Sequence, residues 1–341
     1  MKPACSVAHL TPYSITFPLD HHNGRYDWVI DLATRQAAAG LAVTIYSNPA
    51  SYIDIPGVSW KSIEGSYDDT ATANRTLLLE ALRDQSVDIY HSHYDNLHYT
   101  VSDATAKPIV FTQHWWPTEE TIASAKSHPS PNVWAVPPTH FMLDFDKQHG
   151  IRTKGCIYHG IDLTAFRPAR NARSDRLLFV GRIAPEKNLP VAIEAAKRAG
   201  LPLDIIGKVA PKNRSYWDGL QASIDGEQIR YLGPKSPREL IGHYGSARAV
   251  IFPSDIHEPF GLVAIESQAC GTPVLMQRGG SRAELVIDGK TGYLCDTADE
   301  FAAAALKSKD ISAEDCVSFA KRFDVNRMAA EYLELYEQLL A

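Results

Sequence analysis

The sequence predicts an α/β protein built from two Rossmann-like, doubly wound domains. Three observations carry that expectation. The chain has 341 residues, and length alone suggests about two domains. Short apolar runs alternate with helical patterns along the chain, the mark of parallel βαβ units. The alternation breaks at a polar, aperiodic stretch, "TAFRPARNARSD" at 164–175, and then begins again. The expected division is therefore an N-terminal domain over 1–163, a linker over 164–175, and a C-terminal domain over 176–325. A closing helix over 326–341 is expected to pack back on the N-terminal domain.

The elements follow in order. "SVAHLTP" is a strand candidate, and Tyr26–Gly40 has helical spacing with a closing glycine. "LAVTIYSN" is a second strand, followed by a helix over Thr72–Ser86, the strands "VDIYHSH" and "PIVFTQH", and a strand-plus-helix unit over 132–149. "CIYHGID" closes this half. In the second half "RLLFVGRI" reads as a buried strand and "LPVAIEAAKRAG" as a helix stopped by Gly200. "PLDIIG", "ARAVIFPS" and "TPVLMQ" are further strands, and "NRMAAEYLELYEQLLA" is an amphipathic helix. Ligands of such sheets bind beyond the carboxyl ends of the strands, so a site is expected in a cleft where the two domains face each other.

Composition narrows the function. Lys plus Arg total 34 against 40 Asp plus Glu, a net charge of -6, which argues against a nucleic-acid binder. No apolar run is long enough to span a bilayer, and "MKPACSVAHLTPYSITF" has no apolar core of the signal-peptide kind. Cys5, Cys156, Cys270, Cys295 and Cys316 are widely spaced and odd in number. They read as free thiols of a reducing compartment, so a cytoplasmic protein is expected.

The most informative stretch is "SDIHEPFGLVAIESQACGTPV", Ser254–Val274. A strand runs into the loop that holds Glu258, and Pro259 suits a first helical turn. Phe260–Ala269 is the expected helix body, with Gly271 after its end. On that reading Glu258 and Glu266 stand about 12 Å apart along the axis, comparable with a nucleoside diphosphate sugar from hexose to ribose. The helix N-terminus between them suits a pyrophosphate, and Gly261 allows close approach. Ionised carboxylates suit sugar hydroxyls because each accepts from two neighbouring O–H groups. Glu258 as a simple helix cap and Glu266 as a solvated position is the plainer alternative, but "LVAIESQACG" is a poor solvated face. Upstream, "FVGRIAPEKN" places Arg182 and Lys187 just past a buried strand, where a diphosphate needs cations.

Taken together, "FVGRIAPEKN", the run from "YLGPKSPREL" through "HEPFGLVAIESQACGTPV", and "GGSRAELVIDGKTGYL" resemble the retaining glycosyltransferases of family four, which have the GT-B fold. "YHGIDLTAFRP" and "FDVNRMAAEYLELYEQLL" extend the resemblance, which covers nearly the whole second half. It implies a metal-independent transfer of a sugar from a nucleoside diphosphate sugar, with UDP or GDP as the nucleotide, to an acceptor hydroxyl. The acceptor (a saccharide, a lipid-linked saccharide or a small molecule) is not readable. The resemblance puts Glu258 at the donor sugar and Glu266 at the ribose hydroxyls. Arg182 and Lys187 become pyrophosphate ligands, and the backbone of Phe260, Gly261 and Leu262 would touch phosphate and sugar. The base would lie near Tyr231–Gly233. In the first half, "HHNGRYD" offers Gly24 where the family has a Gly-Gly loop, with Asn23 in place of the first glycine. "VFTQHWW" makes His114 an active-site residue, with Trp115 and Trp116 expected to be packing.

Other chemistries fit less well. There is no G-x-G-x-x-G, and "GKT" at Gly289 lacks the earlier P-loop glycine because Glu284 occupies that place. His21, His22, His91 and His93 lack the spacing of a zinc motif. Asp144 and Asp146 mimic a D-x-D but fall in a helical pattern. The remaining alternatives are a non-catalytic nucleotide-sugar-binding or scaffold protein and a GT-B-fold epimerase or phosphorylase. The presence of all four charged residues favours a transferase in glycan or glycoconjugate biosynthesis.

Overall fold

The computed structural model describes residues 5–18, 24–65, 67–168, 173–254 and 257–341. The chain divides into two compact units, Met1–Gly160 with Val325–Ala341, and Ile161–Asp324. The first runs β1 (Ser6–Leu10), α1 (Gly24–Ala38), β2 (Ala42–Tyr46), β3 (Val58–Lys61), α2 (Thr70–Leu82), β4 (Ile89–Ser92), β5 (Ile109–Thr112), α3 (Glu119–Ser127), β6 (Val133–Val136) and α4 (His140–His149). The second runs β7 (Leu177–Val180), α5 (Leu189–Ala199), β8 (Leu203–Ile206), α6 (Arg214–Asp218), β9 (Ile229–Tyr231), α7 (Pro237–Ser246) and β10 (Val250–Phe252). It continues with α8 (Leu262–Ala269), β11 (Val274–Gln277), α9 (Arg282–Leu285), β12 (Gly292–Cys295), α10 (Ala298–Lys307) and α11 (Ala313–Ala320). The chain then returns to the first unit as α12 (Val325–Leu340).

Each unit holds one six-stranded sheet, β3-β2-β1-β4-β5-β6 and β12-β11-β10-β7-β8-β9, and every strand pair is parallel. Counted from its own first strand, each sheet has the Rossmann order 3-2-1-4-5-6. The order reverses between β1 and β4 in one unit and between β7 and β10 in the other, the points where such sheets bind ligands. Central strands such as β4, β5, β7 and β8 are buried along their whole length, as parallel strands covered by helices on both faces must be. In the first unit α12 joins α1: Trp28, Val29 and Leu32 share one core with Met328, Tyr332, Leu335 and Tyr336.

The sequence reading singles out neither the strands β3, β9 and β12 nor the helices α3, α9, α10 and α11. All three strands lie at or next to a sheet edge, and β3 is only half buried. β12 opens on Gly292, where a Cβ would stand 1.9 Å from the Val274 carbonyl oxygen. That glycine reads as a turn in sequence but marks close backbone approach in a strand. One expectation needs correcting. The helix over Phe260–Ala269 begins only at Leu262. Gly261 takes φ +99°, and Pro259 and Phe260 lie in the loop before it, so the 12 Å helical spacing between Glu258 and Glu266 does not apply. Among the described residues no helix is long and apolar enough to cross a membrane.

Candidate active site

In the second unit the candidate donor residues gather where β7 and β10 part. β7 ends at Val180, and the short turn Pro185–Lys187 follows. Lys187 forms a salt bridge with Glu258, and its ammonium lies 5.6 Å from the centre of the Phe252 ring at the end of β10. Arg182 is half exposed and paired with Glu186 at 2.9 Å. Burial alone would raise the Glu258 carboxyl, but Lys187 outweighs it, with Arg282 and Arg182 adding to the effect, and the pKa falls below its ordinary value. Glu258 is therefore an ionised acceptor among three cations.

Phe260 is buried, and Gly261 forms the N-cap of α8 with no side-chain cap. Ala264 N–H donates to the Gly261 carbonyl at 2.9 Å, and no side chain caps the N–H groups of Leu262 and Val263 ahead of it. A Cβ on Gly261 would stand 3.1 Å from the Phe252 ring, so glycine serves both the turn and the packing. Leu262 opens the helix. Glu266 sits one turn further on, only 2% exposed, and Tyr244 donates to its Oε2 at 2.7 Å. Burial, followed by the neighbouring Glu266 charge, raises the Tyr244 phenol well above its ordinary value and keeps it a donor. Near the expected base position, Tyr231 donates to the Gly207 carbonyl at 2.8 Å, and Gly233 takes φ +71°.

Two residues of this site escaped sequence reasoning. Arg282 is fully buried, with Nη2 donating to the Ser254 carbonyl at 3.2 Å. Its motif, "GGSRAEL", was part of the resemblance, but nothing in the spacing brings it to Glu258. Tyr244, in the apolar face of α7, looks like core in sequence.

In the first unit Gly24 opens α1, while Asn23, His21 and His22 lie outside the described residues. Arg25, the next residue, donates to the His93 carbonyl and pairs with Asp95 at 3.3 Å. It too went unnoticed in sequence. His114 follows β5, with Nε2 3.0 Å from His93 Nδ1 and its ring edge-on to Trp28 at 4.9 Å. Burial, then Arg25, His159 and His91, hold its pKa well below the ordinary value. Trp116 packs on Phe141 and Phe145, as expected, and Trp115 is 46% exposed. Asp144 is exposed and Asp146 buried. Two residues apart on one helix, they point in different directions. Gln113 donates to Asp146 at 3.1 Å, which identifies it as a core acid.

His9, His91 and His93 have ring nitrogens within 4.8 Å of one another, a spacing that could hold a metal ion. All six nitrogens already have partners, however: His9 with His93 and Gln36, His91 with Tyr336 and Thr112, and His93 with His9 and His114. The cluster is satisfied as a hydrogen-bonded network.

With this geometry in hand, comparison with known proteins is specific. Residues 162–323 match the family model described as glycosyl transferases group 1. D-inositol 3-phosphate glycosyltransferases are similar along the chain. The one from Thermobifida fusca is 28% identical over 83% of this chain and 80% of its own length. The one from Acidothermus cellulolyticus is 27% identical over 100% and 91%. Among solved structures, sucrose-phosphate synthase from Thermosynechococcus elongatus superposes with a TM-score of 0.84 at 19% identity, covering 98% of this chain and 99% of that one. Anabaena Alr3699/HepE in complex with UDP-glucose gives 0.76 at 19%, covering 97% and 100%. Fold and sheet order are those of the GT-B fold. The second unit carries the match to the glycosyl transferases group 1 model, over residues 162–323.

Proposed function

We propose that the protein transfers a sugar from a UDP- or GDP-sugar to an acceptor hydroxyl with retention at the anomeric carbon. The observation that carries this reading is the Lys187–Glu258 ion pair beside the start of α8, at the point where β7 and β10 diverge. Further support comes from Anabaena Alr3699/HepE, a GT-B neighbour solved with UDP-glucose.

On this reading the diphosphate takes the α8 N-terminus, whose leading N–H groups and dipole favour an anion. Lys187 turns from Glu258 to the diphosphate, and the released carboxylate accepts from hydroxyls of the donor sugar. Glu266, oriented by the Tyr244 hydroxyl, accepts from the ribose hydroxyls. As the bond from the anomeric carbon to the phosphate oxygen breaks, Arg182, Lys187 and the helix N-terminus stabilise the growing negative charge. These groups supply charge compensation from the protein alone, which supports a metal-independent reaction. The acceptor oxygen bonds to the anomeric carbon on the face that the phosphate leaves, and its proton passes to a leaving phosphate oxygen. The resemblance that assigns these roles also makes His114 and Gly24 functional residues of the first unit.

The test is calorimetric binding of UDP, GDP and ADP to the wild type and to Glu266→Ala, with release of a nucleoside diphosphate from the matching sugar donor as the activity. Selective binding that weakens in the variant is expected. A wild type that bound none of the three would leave a non-catalytic scaffold as the better reading.

A further inference from the structure

A continuous chain of hydrogen bonds runs through the buried core of the first unit and ends at His114. Gln36 of α1 is its centre. Gln36 Oε1 lies 2.7 Å from His9 Nε2, and Gln36 Nε2 donates to the Tyr336 hydroxyl at 3.0 Å. One arm continues from His9 Nδ1 to His93 Nε2 at 3.0 Å and from His93 Nδ1 to His114 Nε2 at 3.0 Å. The other runs from the Tyr336 hydroxyl to His91 Nδ1, from His91 Nε2 to Thr112 Oγ1, and on to the Tyr332 hydroxyl, each step 2.6 Å. His9, Gln36, His91, His93, Thr112, Tyr332 and Tyr336 are all buried.

Such a chain has a direction. Burial keeps His9, His91 and His93 neutral, and a neutral imidazole donates from one nitrogen only when the other accepts. The amide oxygen of Gln36 requires a proton on His9 Nε2, so His9 Nδ1 accepts from His93 Nε2. His93 Nδ1 must then accept from His114 Nε2, which leaves His114 Nδ1 with the lone pair. In the second arm the Gln36 amide donates to Tyr336, Tyr336 donates to His91 Nδ1, and His91 Nε2 donates to Thr112. Turning the amide over would reverse every donor in both arms, so one side chain sets them all.

We propose that Gln36 fixes the tautomer of His114 through His9 and His93, holding Nδ1 of His114 as an acceptor for a substrate hydroxyl. Gln36, His9 and His93 are positioning residues, and Tyr336 ties the same device to α12. The functional half of this inference rests on the reading of His114 as an active-site residue. The chain itself stands on distances within one unit.

The test is imidazole nitrogen–proton correlation NMR on the full-length protein labelled at histidine, for the wild type, Gln36→Leu and Gln36→Met. Expected for the wild type is a single Nε2–H tautomer at His9, His91, His93 and His114. In both variants, which keep the volume but lose the amide, His114 should become a mixture of tautomers. Release of nucleoside diphosphate should then slow by about tenfold or more, with the donor KM changed less than about twofold, as a misdirected imidazole does elsewhere. Two variants guard against one failing to fold. An Nδ1–H tautomer or a mixture in the wild type, or an unchanged His114 spectrum in folded variants, would overturn the proposal. Nucleotide binding on the same samples is expected to be unaffected by the variants. Its absence from the wild type would overturn the transferase reading instead, leaving the tautomer result standing.

Discussion

Tyr244 donates its hydroxyl hydrogen to Oε2 of Glu266 at 2.7 Å, and both side chains are buried. A hydrogen bond to one oxygen of a buried carboxylate fixes the plane of the group, so the phenol orients the acid. Tyr244→Phe removes the donor and leaves Oε2 short of a hydrogen bond, at a cost of about 1–3 kcal/mol. The expected result is a lower Tm together with weaker nucleotide binding. Glu266→Ala should weaken nucleotide binding by about tenfold or more, about 1.4 kcal/mol or above. If Tyr244→Phe lost stability but bound nucleotide as tightly as the wild type, the orienting role would be refuted.

Lys187 and Glu258 make a second coupled pair. Lys187→Met removes a proposed diphosphate ligand, and kcat/KM should fall by about 10²–10³. It also removes the strongest influence opposing burial at Glu258, so that carboxyl should protonate at higher pH than in the wild type. The acid limb of the residual activity should therefore move to higher pH. A pH–rate profile of the variant with its acid limb unmoved would show that Glu258 ionisation does not matter to the reaction.

Much of the second unit is legible in the sequence because its signals are local. "LVAIESQACG" surrounds Glu266 with apolar residues, and the glutamate is indeed buried. Gly200, expected to stop a helix, follows α5 with φ +67°. Signals that depend on the fold are silent. Arg282 opens α9, after β11, and reaches the Ser254 carbonyl near the end of β10, a juxtaposition made only by strand pairing. Arg25 looks like a surface residue of α1 until the β4 turn brings the His93 carbonyl to it. Pro259 is a genuine first-turn signal, yet the chain makes a left-handed turn at Gly261 before α8 begins. His9 and His91 lie 82 residues apart and meet because β1 and β4 pair in register. No periodicity in the sequence could announce that pair.

Gly261 offers a sharper test of the α8 entry. At φ +99° an alanine is strained, by about 1–2 kcal/mol, and its Cβ would press on Phe252 at 3.1 Å. The Phe252 ring lies beside the Lys187 ammonium, so strain at the turn should reach the cation. Gly261→Ala should lower the Tm by several degrees and weaken nucleotide binding. Adding Phe252→Leu should relieve the contact but not the backbone strain, restoring part of the loss. Full recovery in the double variant would mean that φ at 261 is unimportant.

Six histidines of the first unit make its stability depend on pH. Burial lowers His9 to about 4 and His98 and His159 to about 3, and pushes His91, His93 and His114 down as well. Unfolded, each takes up a proton near pH 6.5. Folded, each stays neutral until lower pH. The unfolded chain therefore binds more protons in this window, and stability must fall as pH drops from about 7 toward about 4. Asp146 acts in the opposite sense. Burial raises it to about 7, so the folded state holds a proton that the unfolded state releases, a contribution present at low pH and lost as pH rises toward 7. Each group contributes at most about 1.4 kcal/mol per pH unit, and six histidines outweigh one aspartate. The urea midpoint of the first unit's transition should therefore drop steadily from pH 7 to pH 5. Replacing His98, which packs on Tyr99 and Phe111 at 4.4 and 4.1 Å, by Phe should remove one titrating group and flatten that slope. A midpoint that held level or rose on acidification would show that these histidines are charged in the folded state, and the hydrogen-bond direction assigned to His9, His93 and His114 would fall with it.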